Sequence, residues 1–265
     1  MEGKKIMNKG LKICTFTVFV LLGTLLAGCG DGSPEQAMNK AVAFARNNEW
    51  GKAAKIADRL AKQNPSLAEA HVLRAVTSER SGDRQTALDA ARRAVEINPD
   101  NFVTLYTLAR LYAEDPARSS EANALLMKAW LKKRDDVQVK ILLCNVAMES
   151  NSPRAQLYLN NLARVPKFSN AAVLYNQYGV LNARRKNYKK AYNAFLEARE
   201  RGKSNPEILL NSARFYDSCY LKKSLHPLIK KADVVRLYQR YLDSAGKNAS
   251  GKVEAGARIS RYKNL

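Results

Sequence analysis

The sequence predicts an all-α chain built from tandem helical hairpins, and three coincident spacings carry that prediction. Ala41, Ala75 and Ala109 recur every 34 residues, Ala53 and Ala87 stand 34 apart, and Asn64-Pro65 is separated from Asn98-Pro99 by the same 34. A single alanine-rich helix would not repeat the Asn-Pro stop. The clearest unit is residues 68–101, AEAHVLRAVTSERSGDRQTALDAARRAVEINPDN. Its two halves place apolar or small residues at three- and four-residue spacing, are joined by Ser81-Gly82-Asp83, and close on Asn98-Pro99. Ala75 and Ala87 let antiparallel helices approach closely, Gly82 tolerates the backbone of a tight turn, and Pro99 cannot continue a helix interior. One such hairpin cannot bury its apolar faces alone, so neighbouring hairpins are required.

On these residues the unit resembles a tetratricopeptide repeat of 34 residues. Ala75 takes the small position of the first helix and Gly82 the turn; Ala87 and Ala94 take the small positions of the second helix, and Pro99 its end. The resemblance implies a right-handed helical-repeat solenoid over residues 35–265, with about five to six helix pairs and a terminal capping helix. It also implies an extended concave surface that binds a peptide segment or organises a protein complex. The first helices, residues 35–47, 69–80, 101–113 and 172–183, should line that surface, with Arg74 and Ser78 facing outward as groove candidates.

Each element follows the same pattern. Residues 35–47 turn Ala41 and Phe44 inward, and 51–63 present Ala53, Ile56, Ala57 and Leu60 on one face, with Trp50 packing at the turn rather than binding a ligand. The third unit runs through Leu105, Leu108, Ala109 and Tyr112; its turn at 114–119 gains one residue before Ala122, Leu126 and Ala129. Trp130 is expected against a neighbouring helix, and 132–136 as a solvated link. The fourth unit is degenerate: Val139, Leu142, Leu143, Val146 and Ala147 form one stripe, Pro153 marks a helix start before Ala155, Leu159 and Leu162, and no turn glycine or inter-repeat proline is present. In the fifth, Tyr175, Gly179, Tyr188, Ala191, Phe195 and Ala198 return to family positions, with Gly179 at a close helix approach. The sixth begins at 206–220 with Leu209, Ala213 and Tyr216 inward. Residues 220–231, YLKKSLHPLIKK, then form a basic loop around Leu221, Leu225 and Leu228 before a second helix at 232–245 and a cap at 252–262.

The amino terminus has a different character. Lys4, Lys5, Lys9 and Lys12 precede an apolar run at 13–27, the shape of a secretory signal and too short for an ordinary transmembrane helix. By itself that run also permits a plain anchor or a conventionally secreted chain. Leu26, Ala27, Gly28 and Cys29 resemble the bacterial lipoprotein processing box. The resemblance implies removal of residues 1–28, a covalent lipid on Cys29, and residues 29–34 as a lipidated tether whose acyl chains hold the protein on the bilayer. Gly30 follows the cysteine, with Asp31 one place later; the sorting rule of enteric lipoproteins then favours the outer membrane, facing the periplasm, over the inner membrane.

Composition narrows the chemistry. The 265 residues carry a formal charge of +21, while 46% hydrophobic content excludes a wholly disordered basic chain. Residues 184–265 hold 20 Lys and Arg against seven Asp and Glu, so the positive field is concentrated late. Arg184, Arg185, Lys186, Lys189, Lys190, Lys222, Lys223, Lys230 and Lys231 are the candidate contacts for an anionic envelope component. Nucleic acid is disfavoured, because no zinc pattern, Arg-rich arm or base-reading module accompanies the charge and the export signal removes the chain from the chromosome. No enzyme is expected. His71 occupies a packing position, His226 lies in the late basic loop, and neither forms a metal motif; Cys144 and Cys219 follow buried helical patterns, with a disulfide open to an exported chain. The expected partner is an envelope protein or peptide segment held by a membrane-anchored scaffold, and the alternative is an electrostatic retention module for an anionic surface. No metal or cofactor is expected beyond the lipid at Cys29.

Overall fold

The computed structural model describes residues 33–225, 228–246, 249 and 251–264. The expected signal segment, Cys29 with its Leu26-Ala27-Gly28 box, and His226 lie outside the described residues. Those described are all-helical, with no strand: α1 (Pro34–Arg46), α2 (Trp50–Gln63), α3 (Ala68–Arg80), α4 (Arg84–Ile97), α5 (Phe102–Ala113), α6 (Ser119–Lys132), α7 (Val137–Glu149), α8 (Ala155–Ala163), α9 (Ala172–Arg184), α10 (Tyr188–Arg201), α11 (Pro206–Leu221), α12 (Lys231–Ser244) and α13 (Lys252–Lys263). The one-residue expansion after α5 is absorbed by a 3₁₀ turn at Pro116–Arg118.

The chain divides into two compact units at Ser150/Asn151, between α7 and α8, where the sequence lacks the turn glycine and the closing proline of the repeat. In the first unit α1 pairs with α2, α3 with α4 and α5 with α6, and α7 packs on α6. In the second, α8 packs on α9, α9 pairs with α10 and α11 with α12, and α13 covers α12.

Local chemistry starts and stops these helices. Asp83 Oδ1 accepts from Thr86 N at 3.0 Å, Asn101 Oδ1 from Val103 N at 2.7 Å, Asp136 Oδ1 from Val139 N at 3.0 Å, and Asn205 Oδ1 from Glu207 N at 3.0 Å, each satisfying a donor that the first helical turn leaves unpaired. Pro206 sits at the first position of α11, where a missing N–H costs nothing. Four of the turns share one closure. Asn48, Gly82, Lys186 and Lys223 adopt positive φ of 60°, 87°, 61° and 52°, and the residue after each donates back five residues: Glu49 to Phe44, Asp83 to Ser78, Asn187 to Asn182, Ser224 to Cys219, at 2.8–2.9 Å. This is the Schellman closure of a helix carboxy terminus.

The small residues of the repeat are enclosed. Ala41, Ala53, Ala75, Ala87, Ala94, Ala109, Ala191 and Ala198 are all fully buried, whereas Gly82 and Pro99 are exposed in their turns. Gly179 is held against Phe195: a Cβ built on it would meet the ring at 2.7–2.9 Å. Phe195 in turn packs against Phe215, centroids 5.1 Å apart, which joins the fifth pair to the sixth.

Two expectations are corrected in detail, at Pro153 and in the late loop, and two side chains gain a more exact place. Pro153 lies in the turn before the Arg154 cap and not at the first helical position, so α8 starts later and spans only nine residues. Trp130 serves its own loop: its indole Nε1 donates to Arg134 O at 3.1 Å and the Arg134 guanidinium covers the ring at 5.2 Å. Tyr188 is half-exposed rather than core. In the late loop it is Ile229 that is buried, while Leu221 and Leu228 are exposed.

Candidate functional site

Two of the first helices, α3 and α5, are more enclosed than a groove-lining role requires, whereas α1 buries only Met38, Ala41, Val42 and Ala45. In α5 every residue from Phe102 to Tyr112 is buried, because α3, α4, α6 and α7 all pack on it. The same enclosure corrects one groove candidate: Ser78, expected outward, is 8% exposed. Arg74 is half-exposed, and its guanidinium pairs with Asp58 of α2 at 2.8 Å; the Asp58 pKa is lowered by its hydrogen bond to Lys62 and by the Arg74 charge. Polar groups on this face are used between helices. Arg110 of α5, 3% exposed, makes a two-pronged ion pair with Glu79 of α3. Asn211 Nδ2 of α11 donates to Asn176 Oδ1 of α9 at 3.3 Å, both side chains buried.

A second charged cluster, which the sequence reading did not assemble, fixes the terminal helix. Asp217 of α11, 3% exposed, accepts from Tyr238 Oη of α12 at 3.3 Å and from Tyr262 Oη of α13, and Arg258 Nη1 approaches it at 3.2 Å. Arg214, one turn earlier, makes a two-pronged bond with Glu254 of α13, Nε to Oε1 at 3.0 Å. Arg214, Asp217, Tyr238 and Arg258 line a cleft of about 200 Å³ with Lys222 at its side, and the charges of the cluster are paired with one another. The legible signal was opposite charge at helical spacing, Arg214 with Asp217 and Glu254 with Arg258.

Enclosed first helices such as α3 and α5, one-sided second helices and glycine-type hairpin closures recurring along the chain decide the architecture. This is the tetratricopeptide-repeat fold. By sequence, no family model matches the chain and no curated protein matches it. Solved structures do. PilF of Pseudomonas aeruginosa superposes with a TM-score of 0.59 at 16% identity, over 87% of this chain and 96% of that one. PilW, described as a widely conserved type IV pilus biogenesis factor, gives 0.62 at 14% identity over 82% and 96%. YrrB, described as a TPR protein with an unusual peptide-binding site, gives 0.55 at 15% identity over 80% and 100%. At such identities the likeness is one of fold.

The basic candidates are placed individually. Lys189 and Lys190 are exposed in the first turn of α10, Lys186 is exposed in the preceding turn, and Lys222, Lys223 and Lys230 are exposed around the late loop, with Lys231 half-buried. Arg185 is partly engaged, its Nη2 donating to Pro153 O at 3.2 Å, and Arg184 also makes a contact of its own. Six of the nine candidates, Lys186, Lys189, Lys190, Lys222, Lys223 and Lys230, are thus exposed lysines, while Arg184 and Arg185 make contacts within the fold.

Catalytic chemistry gains no support from the described residues. His71 is buried with Nε2 3.1 Å from Pro65 O, and desolvation lowers its pKa, so it is a neutral packing residue near pH 7. Cys144 and Cys219 are free, buried thiols pushed up to about 12 and about 11 by desolvation, the opposite of an activated nucleophile. Among the described residues no group of three His, Cys, Asp or Glu could hold a metal ion, and no helix is long and apolar enough to cross a membrane.

Proposed function

We propose that the protein is a non-enzymatic, lipid-anchored adaptor that binds another protein of the bacterial envelope, tethered through Cys29 to the outer membrane and facing the periplasm. The observation that carries this is the joining of a Leu26-Ala27-Gly28-Cys29 box to a tetratricopeptide-repeat body. A repeat body exposes long helical surfaces suited to polypeptide binding. A lipid supplies position but no chemistry. The descriptions of PilW as a pilus biogenesis factor and YrrB as bearing a peptide-binding site support a polypeptide partner. Enclosure of α3 and α5 moves the expected contact toward exposed apolar side chains of the second helices, such as Leu131 on α6 and Leu157 on α8, 56% and 55% exposed.

The test is in-cell crosslinking of the wild-type protein beside Cys29→Ser, with Leu131→Glu and Leu157→Glu as surface variants. One recurrent envelope protein, lost with a surface variant while helicity is kept, is the expected result; Cys29→Ser should leave the membrane fraction. The second reading, electrostatic retention on an anionic surface, is favoured by exposed Lys222, Lys223 and Lys230. Recovery of anionic envelope material alone, released by salt or by neutralising those lysines, would replace the adaptor with that reading.

A further inference from the structure

Between α10 and α12, above Tyr216 of α11, lies a cleft of about 210 Å³. Its floor is aromatic: Tyr192 stacks on Tyr216, centroids 5.6 Å apart and planes 20° from parallel. Its walls are cationic. Arg199 lies over the Tyr216 ring at 4.7 Å and donates Nη2 to the Tyr216 hydroxyl at 2.7 Å, but its buried Nη1 has no acceptor among the described residues. Arg236 is exposed along α12, and Arg240 spends Nη2 on Lys203 O at 2.7 Å. Among the described residues the one carboxylate lining the cleft, Asp233, accepts from Lys230 N at 3.2 Å and stands 3.9 Å from Arg236, outside hydrogen-bonding reach. Leu228, 56% exposed, closes one side with an apolar surface.

We propose that this cleft is a docking site for an acidic side chain of a partner polypeptide, with an apolar neighbour of that residue lying on the Tyr192–Tyr216 stack and Leu228. Three guanidiniums facing a single, otherwise engaged carboxylate leave a deficit of negative charge, and a guanidinium matches a carboxylate with paired N–H donors. The aromatic floor and Leu228 select an acid carried among apolar side chains over a bare ion. The site lies between second helices and uses none of the lysines of the late loop, so it extends the adaptor reading to a place and a partner chemistry that reading does not specify. Failure here leaves the crosslinking result standing by itself.

The experiment uses the full chain in detergent and a library of fluorescent, end-blocked pentapeptides with central Glu or central Gln and varied apolar flanks, read by anisotropy. The best central-Glu peptides should bind roughly tenfold tighter than their Gln twins. Arg236→Gln with Arg240→Gln should erase that difference at unchanged helicity and melting temperature, Tyr192→Ala should weaken binding of both series, and Lys222→Gln with Lys223→Gln should leave the difference intact. Equal binding of Glu and Gln libraries overturns the proposal. So does equal loss from the loop lysines, which would mean diffuse attraction, or Arg236- and Arg240-dependent capture of phosphatidylglycerol vesicles with no peptide preference, which would mean a membrane contact.

Discussion

Gly179 leaves no room for a side chain between α9 and α10, and the Phe195 ring that fills the space has Phe215 behind it. Gly179→Ala must push that ring toward the sixth pair, an overpacking cost of about 1–3 kcal/mol that outweighs the helix propensity gained, about 1 kcal/mol. Urea melts should show the loss, and Gly179→Ala with Phe195→Leu should recover part of it. Lys186 is the opposite case. It holds a left-handed backbone, φ 61°, in the same closure that Gly82 makes at 87°. A left-handed non-glycine residue costs about 1–2 kcal/mol, more than the about 0.5–1 kcal/mol of unfolded-state entropy a glycine adds. Lys186→Gly should therefore raise stability by about 0.5–1 kcal/mol, measurable as a higher urea midpoint at constant slope. The same comparison shows what was legible. Gly82 announced its turn and Asn48 is a residue type that tolerates the left-handed backbone, whereas Lys186 and Lys223 make the identical closure with residues that carry little turn signal. Backbone geometry there is imposed by the packed helices on either side.

Between α3 and α5 the Arg110–Glu79 pair is almost closed to water. Breaking such a pair leaves a buried charge without its partner, so Glu79→Gln should destabilise by about 3–5 kcal/mol, while Glu79→Leu with Arg110→Met should be neutral or stabilising by about 1–4 kcal/mol. A double-mutant cycle read by chemical denaturation checks both. Helix existence was readable at this scale because alanines and leucines kept their period through every hairpin. Which face was wet was less readable. First helices such as α3 and α5 have neighbours on all sides, so Ser78 at a nominally outward position is buried and Arg74 is drawn to Asp58. Pairings across 30 to 40 residues of sequence, as in Arg214–Glu254, depend on which helices touch, and periodicity within one helix does not report that. The cleft above Tyr216 was hidden for the same reason: its arginines come from two helices separated by a third.

Taken as a whole, the fold holds protons that an unfolded chain would release in alkali. Desolvation raises Cys144 to about 12, Cys219 to about 11 and Tyr216 to about 12, from ordinary values of 9.0, 9.0 and 10.0. The unfolded state binds fewer protons than the native state above pH 9, so stability is full below that point and falls as pH rises toward 12. Cys144 alone contributes a slope of about 1.4 kcal/mol per pH unit at most, with smaller additions from the less enclosed Cys219 and Tyr216. Melting temperatures should hold to pH 9 and drop beyond it, and both thiols should stay inert to a thiol reagent at pH 8 until denaturant is added; prompt reaction of the native protein would contradict their burial.

The enclosure of α5 also bears on how the chain reaches its fold. From Phe102 to Tyr112 no side chain is left for water, so α5 is covered only once α6 and α7 exist. A chain threaded unfolded across a membrane, amino terminus first, would emerge with this sticky segment bare while its cover was still in transit. Of the described helices, α5 is thus the one a holding chaperone has most reason to grip, and a charge placed at Leu105 or Leu108 would ease that passage only by spoiling the destination.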